Sequence, residues 1–171
     1  MLDVLTFQRV AHLLHERNHK LAARLVTRVA RHLFGAYLAP ETRIGAGTEL
    51  GYGGIGVVIH KDARLGRDVL VSPGVVIGGR SGLPGAPDVG DRVKIGTGAK
   101  LLGPIKIGEG AYVGANAVVI HDVAPGDVVV GIPARPIERR FKIVDGGGEP
   151  SSAPRAPVDP RTASGGGGAA G

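Results

Sequence analysis

The sequence predicts an all-β repeat, a stack of triangular coils built from short parallel strands, with a helical segment before it and a disordered tail after it. Three observations predict this. Branched aliphatic residues recur every six positions through the middle of the chain, glycine follows most of them directly, and large aromatic rings are nearly absent. The chain has 171 residues, with 30 glycines, no tryptophan and 4% aromatics. That length fits one domain with a short appendage.

Residues 1–38 form the helical segment. Leu5, Val10, Leu13 and Leu14 make one apolar stripe, and Leu21, Leu25, Val29 and Leu33 make a second at spacings of four. Asn18 breaks or caps between the two helices, and Gly35 ends the second. The polar faces carry Arg9, Arg17, Lys20, Arg24, Arg28 and Arg31 against Asp3 and Glu16. They read as the solvated side of a small packing unit, with no membrane role.

Residues 39–144 hold the repeat. Ile59, Leu65, Val71 and Ile77 stand six apart, and so do Val89, Ile95, Leu101, Ile107, Val113 and Val119. Four residues after most of them comes a small or β-branched residue, among them Ala63, Val69, Val75, Val93, Ala99 and Ala117. A six-residue period fits neither a helix at 3.6 residues per turn nor a simple alternating strand. It fits flat strands joined by tight corners, one aliphatic inward per strand, with glycine at corners that need unusual backbone angles. Three strands close a triangle, and stacked triangles bury a continuous aliphatic column that aromatic rings would not fit.

Two places leave the rhythm. Nine residues separate Leu50 from Ile59, which marks a bulge in the early coils. Between Ile77 and Val89 the chain reads Gly78-Gly79-Arg80-Ser81-Gly82-Leu83-Pro84-Gly85-Ala86-Pro87-Asp88. That span holds two periods, but its glycines and prolines read as a loop leaving a corner. Loops on rigid supports often carry binding residues. The stack ends near Pro125-Gly126-Asp127. A closing strand and turn follow over Val128–Ile137, then a helical or extended segment to Val144. Residues 145–171, rich in Gly, Pro, Ser and Ala, bury too little surface to offset ordering entropy and read as disordered.

Composition excludes several functions. With no cysteine there is no disulfide framework, thiolate nucleophile or Cys-ligated metal. The start Met1-Leu2-Asp3-Val4 lacks secretory features, so a cytoplasmic protein is expected. The net charge of +6 comes without basic–aromatic interleaving or a zinc finger. It suits an anionic small molecule, such as a phosphorylated cofactor, better than nucleic acid.

With these features in place, residues 40–137 resemble the hexapeptide-repeat acyltransferases, most closely their serine acetyltransferase branch. The matching stretches are Gly56-Val57-Val58-Ile59, Val75-Val76-Ile77-Gly78-Gly79-Arg80, Ile95 to Gly103, and Val130-Gly131-Ile132-Pro133-Ala134-Arg135. The resemblance implies a left-handed parallel β-helix, a homotrimer, acetyl-CoA as co-substrate and an active site between neighbouring subunits. It also shows departures. The branch's Asp-His pair falls here on Tyr52-Gly53, and its Arg-His-Pro loop on Gly85-Ala86-Pro87.

Acetyl transfer to a hydroxyl needs a general base, donors for the developing oxyanion and a slot for the CoA arm. His60, which follows the inward Ile59, faces outward at a corner and is the candidate base. Tyr52 is a candidate donor. By resemblance, Gly79 and Arg80 lie beside the CoA arm, Thr97 and Ala115 offer it backbone groups, and Arg80 and Arg135 face its phosphates. A zinc site is not expected, because such sites on this fold need three histidines and the repeat carries only His60 and His121. The acceptor is a small hydroxyl compound. Three functions remain open: O-acetyl transfer to serine, acetyl transfer to a sugar or nucleotide sugar, and a non-catalytic β-helix used for assembly.

Overall fold

The six-residue period becomes three columns of aliphatic side chains, one behind each face of a parallel coil. The computed structural model describes residues 3–137. The expected tail and the segment running to Val144 lie outside the described residues. The first face stacks Tyr37–Leu38, Val58–Ile59, Val76–Gly78, Lys100–Leu102 and Val118–Val119. The second stacks Arg43–Ile44, Arg64–Leu65, Asp88–Val89 and Lys106–Ile107. The third stacks Glu49–Leu50, Leu70–Val71, Lys94–Ile95, Tyr112–Val113 and Val128–Val130, closed by the antiparallel Arg135–Ile137.

Register turns the period into a core. Ile59 pairs with Ile77, Ile77 with Leu101 and Leu101 with Val119. On the third face Val71 pairs with Ile95, Ile95 with Val113 and Val113 with Val129. All of these are at most 2% exposed. The residues four positions on, such as Val69, Val75, Val93 and Ala117, are equally buried and fill the corners between columns. Burying each such side chain is worth about 1.5–3 kcal/mol, so the stack holds most of the hydrophobic stabilisation.

The interruptions are insertions into an otherwise regular coil. Gly51–Gly54 forms a 3-10 turn that supplies the extra residues between Leu50 and Ile59. The segment from Gly79 to Pro87 is a loop, with Arg80 bridging Leu83 and the Leu83 side chain exposed. The glycines do not work quite as the sequence suggests. None of Gly66, Gly78, Gly90, Gly96, Gly108 and Gly114 has a positive φ. A Cβ on Gly66 would stand 2.7 Å from the carbonyl carbon of Gly90, in the next coil. Glycine is needed there for close backbone approach. After all but Gly78, a left-handed angle comes two residues later, at Asp68, Arg92, Gly98, Gly110 and Asn116.

Two helices cover the start of the stack. α1 (Val4–Glu16) begins at Asp3, whose carboxylate accepts hydrogen bonds from the Thr6 backbone N–H and hydroxyl, both at 2.7 Å. α2 (Lys20–Phe34) follows Asn18, which has φ 64°, and stops at Gly35 in the left-handed conformation. Both breaks agree with the sequence. Phe7 meets Phe34 edge to face, and Val4, Leu5 and Ala36 join the coil core. The packing faces differ from the expectation. α2 turns Ala23, Thr27 and Ala30 inward, while Leu21, Leu25, Val29 and Leu33 stay 42–82% exposed. In α1, Leu5 is buried but Val10 and Leu13 are exposed. Small residues win the inward face because they let the two helices and the coil approach closely.

Candidate active site

Three edges run down the coil where the faces meet, and the predicted site residues fall on two of them. The edge between the first and second faces carries 60–63 and the 79–87 loop, and hence His60, Gly79 and Arg80. The edge between the third and first faces carries 51–57, 96–99, 114–117 and 131–134, and hence Tyr52, Thr97 and Ala115, with Arg135 directly after. The edge between the second and third faces carries none of them. The structure therefore groups the predicted residues on both sides of the first face. It does not bring His60 and Tyr52 together within one chain, because the Val58–Ile59 strand separates them.

His60 is firmly held. Its backbone N–H donates to Ile77 O at 2.8 Å and its carbonyl accepts the Thr42 hydroxyl at 3.0 Å. The ring is fixed at one nitrogen: Asp62 N–H donates to Nδ1 at 3.2 Å, and the Asp62 carboxylate lies 3.7 Å from the same atom. Nε2 has no protein partner among the described residues. His60 lines an open depression of about 390 Å³ together with Arg24, Tyr37, Glu41, Lys61 and Gly78. Lys61 was visible as a neighbour in sequence. Arg24 and Glu41 were not, because α2 and the first coil bring them in from elsewhere.

The loop stands beside this depression. Gly103 N–H donates to Gly78 O at 3.0 Å, and a Cβ on Gly103 would lie 3.3 Å from Arg80 Cβ. Arg80 is thus seated on the next coil with its guanidinium exposed. On the far edge, Asn116 N–H donates to Thr97 O at 2.8 Å, stacking the Thr97 and Ala115 corners. Both residues are exposed and small, which leaves backbone groups open to a thin ligand. Arg135 is exposed in the closing strand, opposite Val130. Tyr52 is 87% exposed with a left-handed backbone, so it does not pack within its own chain.

A coil of short strands repeating every six residues, with small-residue edges and a protruding loop, is the architecture of the hexapeptide-repeat transferases. A family model described as bacterial transferase hexapeptide (six repeats) matches residues 87–121. The chain is 48% identical over 132 residues to a serine acetyltransferase of Mycobacterium tuberculosis, covering 75% of this chain and 57% of that protein. It is 38% identical over 140 residues to one of Helicobacter pylori, covering 81% of each. The chain belongs to the serine acetyltransferase family.

Solved structures agree. A soybean serine acetyltransferase complexed with serine superimposes with a TM-score of 0.75 at 39% identity, over 78% of this chain and 56% of that one. A serine acetyltransferase in complex with CoA gives 0.74 at 31%, over 78% and 55%. This likeness agrees with the left-handed winding expected of the coil. The chain spans only a little over half the length of these structures and of the mycobacterial relative. Among the described residues no helix is long and apolar enough to cross a membrane.

Proposed function

We propose that this protein is an acetyl-CoA-dependent serine O-acetyltransferase that acts as a homotrimer in the cytoplasm. One observation carries the reading beyond family membership. The site residues are divided between the two edges flanking the first face, so one chain presents two half-sites. Packing the first edge of one subunit against the far edge of its neighbour would join His60 and Arg80 to Thr97, Ala115 and Arg135. The CoA arm would then lie along the small residues, with Arg80 and Arg135 facing its phosphates.

The chemistry follows from how His60 is held. A general base needs its lone pair on the outward nitrogen. While Nδ1 accepts Asp62 N–H, a neutral imidazole carries its proton on Nε2. Turning an Nδ1–H to the Asp62 carboxylate frees Nε2. It then takes the proton of the serine hydroxyl as that oxygen attacks the thioester carbonyl. The carbon–sulfur bond breaks, and the proton passes to the departing thiolate. The products are O-acetylserine and free CoA thiol. Thiol release from acetyl-CoA with L-serine tests this. His60→Ala should lower turnover by about 10²–10⁴-fold with little change in CoA binding. An unchanged rate would remove His60 from the mechanism.

Gly53 and the Gly85-Ala86-Pro87 loop favour a second reading, transfer to a sugar, because neither supplies an imidazole. Sugars tested as acceptors in the same assay separate the two. Failure to bind CoA would leave an assembly protein.

A further inference from the structure

The repeat places a small or aliphatic residue four positions after most inward ones, and the first coil breaks that rule twice. Thr42 follows Leu38 and Thr48 follows Ile44, at the positions that Ala63 and Val69 hold one coil on. Both threonines are buried, and a buried hydroxyl is costly without a partner. Each finds a carbonyl in the next coil. Thr48 donates to Gly66 O at 2.9 Å, on the edge that carries no predicted site residue, and Thr42 donates to His60 O at 3.0 Å. Thr42 is in turn gripped by α1: its carbonyl accepts the side-chain amide of Gln8 at 2.9 Å, and Gln8 is itself buried. One helical turn on, His12 Nδ1–H donates to Pro40 O at 2.8 Å, so α1 holds the 39–42 corner at two points. The His60 carbonyl also accepts the Ala63 backbone N–H at 3.0 Å. Both of its lone pairs are thereby used, and the His60 N–H is taken by Ile77 O.

We infer that Gln8 and Thr42 are positioning residues for acetyl transfer, a buried relay through which α1 sets the place of the His60 imidazole. The inference rests on the reading of His60 as the base. The ring is tied at Nδ1 to the Asp62 backbone, two residues along the same corner, so it moves with that corner and not independently of it. A tilt of the His60 peptide therefore carries Nε2 with it. Proton transfer needs heavy atoms within about 2.6–3.2 Å, and a shift of about 1 Å caused from a distance can cost about 10²-fold in rate. The first coil has no coil beneath it to hold the His60 carbonyl in place. The Thr42 hydroxyl does this from below, and Gln8 fixes Thr42 to the helix. The helical segment thus takes part in the reaction without touching either substrate.

The test is steady-state thiol release from acetyl-CoA by the full chain, with L-serine and the sugars as acceptors, beside chemical denaturation of each variant. Thr42→Val keeps the side-chain shape and removes the hydroxyl. It should lower kcat about tenfold and leave the KM for acetyl-CoA within about twofold. Thr42→Ser should restore most of the rate. Gln8→Met, one step further from His60, should lower kcat by less than Thr42→Val. Thr48→Val removes the matching hydroxyl on the other edge, and it should lose stability while its kcat stays within about twofold of wild type. In a His60→Ala background, Thr42→Val should cause no further loss. Equal kcat losses in Thr42→Val and Thr48→Val would mean a general loosening of the first coil and would overturn the relay. A full rate in Thr42→Val would overturn it too. Should Thr42→Val not fold, a wild-type rate in Gln8→Met overturns it. A wild-type rate in His60→Ala alone would remove the base and the relay with it. A wild type that releases no thiol with any acceptor would overturn the enzyme reading.

Discussion

The coil and the helical pair use the same kind of apolar pattern and treat it in opposite ways. In the coil, the two six-residue series, Ile59 to Ile77 and Val89 to Val119, point inward, and each member is at most 4% exposed. In α2, the four-residue series Leu21, Leu25, Val29 and Leu33 points outward, while Ala23, Thr27 and Ala30 face the protein. The difference lies in what each pattern packs against. A coil residue is covered by the same position in the coils above and below, so the repeat supplies its own partners. A helix stripe needs a second surface, and the sequence does not say which one. Here α1 and the first coil offer a close, shallow surface that accepts small residues.

Three substitutions test this contrast. The largest effect should come from Val113→Asp. Val113 is fully buried between Ile95 and Val129, and a charge there has no partner. Unfolding free energy should fall by more than about 4 kcal/mol, read as loss of the chemical denaturation transition. A folded variant of unchanged stability would mean that the column register is wrong.

A smaller effect belongs to the start of α1. The Thr6 hydroxyl, and then the Thr6 backbone N–H, hold the Asp3 carboxyl below the usual carboxylate value. Asp3→Ala should cost about 1 kcal/mol. Because the folded value is depressed, the stabilisation is fully present above the unfolded value of about 3.9 and fades as pH falls through the lower folded value. The difference between wild type and Asp3→Ala should therefore shrink in acid. A gap that stays constant down to low pH would show that the carboxylate is not the capping group.

The smallest effect should follow Leu21→Ser. With Leu21 82% exposed, stability should move by no more than about 0.5 kcal/mol. A loss well beyond that, growing with protein concentration, would show that the α2 stripe is covered by another molecule and would remove the contrast.

The candidate site divides along similar lines. Residues that follow from the repeat were legible, because the period fixes which position meets a corner. His60 directly follows the inward Ile59 and therefore faces out, and Thr97 and Ala115 fall at corners two residues after the inward Ile95 and Val113. Arg24 and Glu41 were not legible as neighbours of His60. In sequence Arg24 is one of several arginines on a helix and Glu41 is an ordinary corner residue. The corner glycines were half legible: their presence is plain, but Gly66 is required for approach to Gly90 and not for its own φ.

The coil, its inward columns, the place of the loop and the outward corners all follow from the amino-acid pattern. Each follows from a period that acts locally and repeats, so neighbouring coils impose the same answer many times. The packed face of α2, the hold of Asp62 on the His60 ring, and the distant charges that share its depression emerge only in the folded chain. These depend on contacts between segments with no common period, where shape and close approach, not pattern, select the partner.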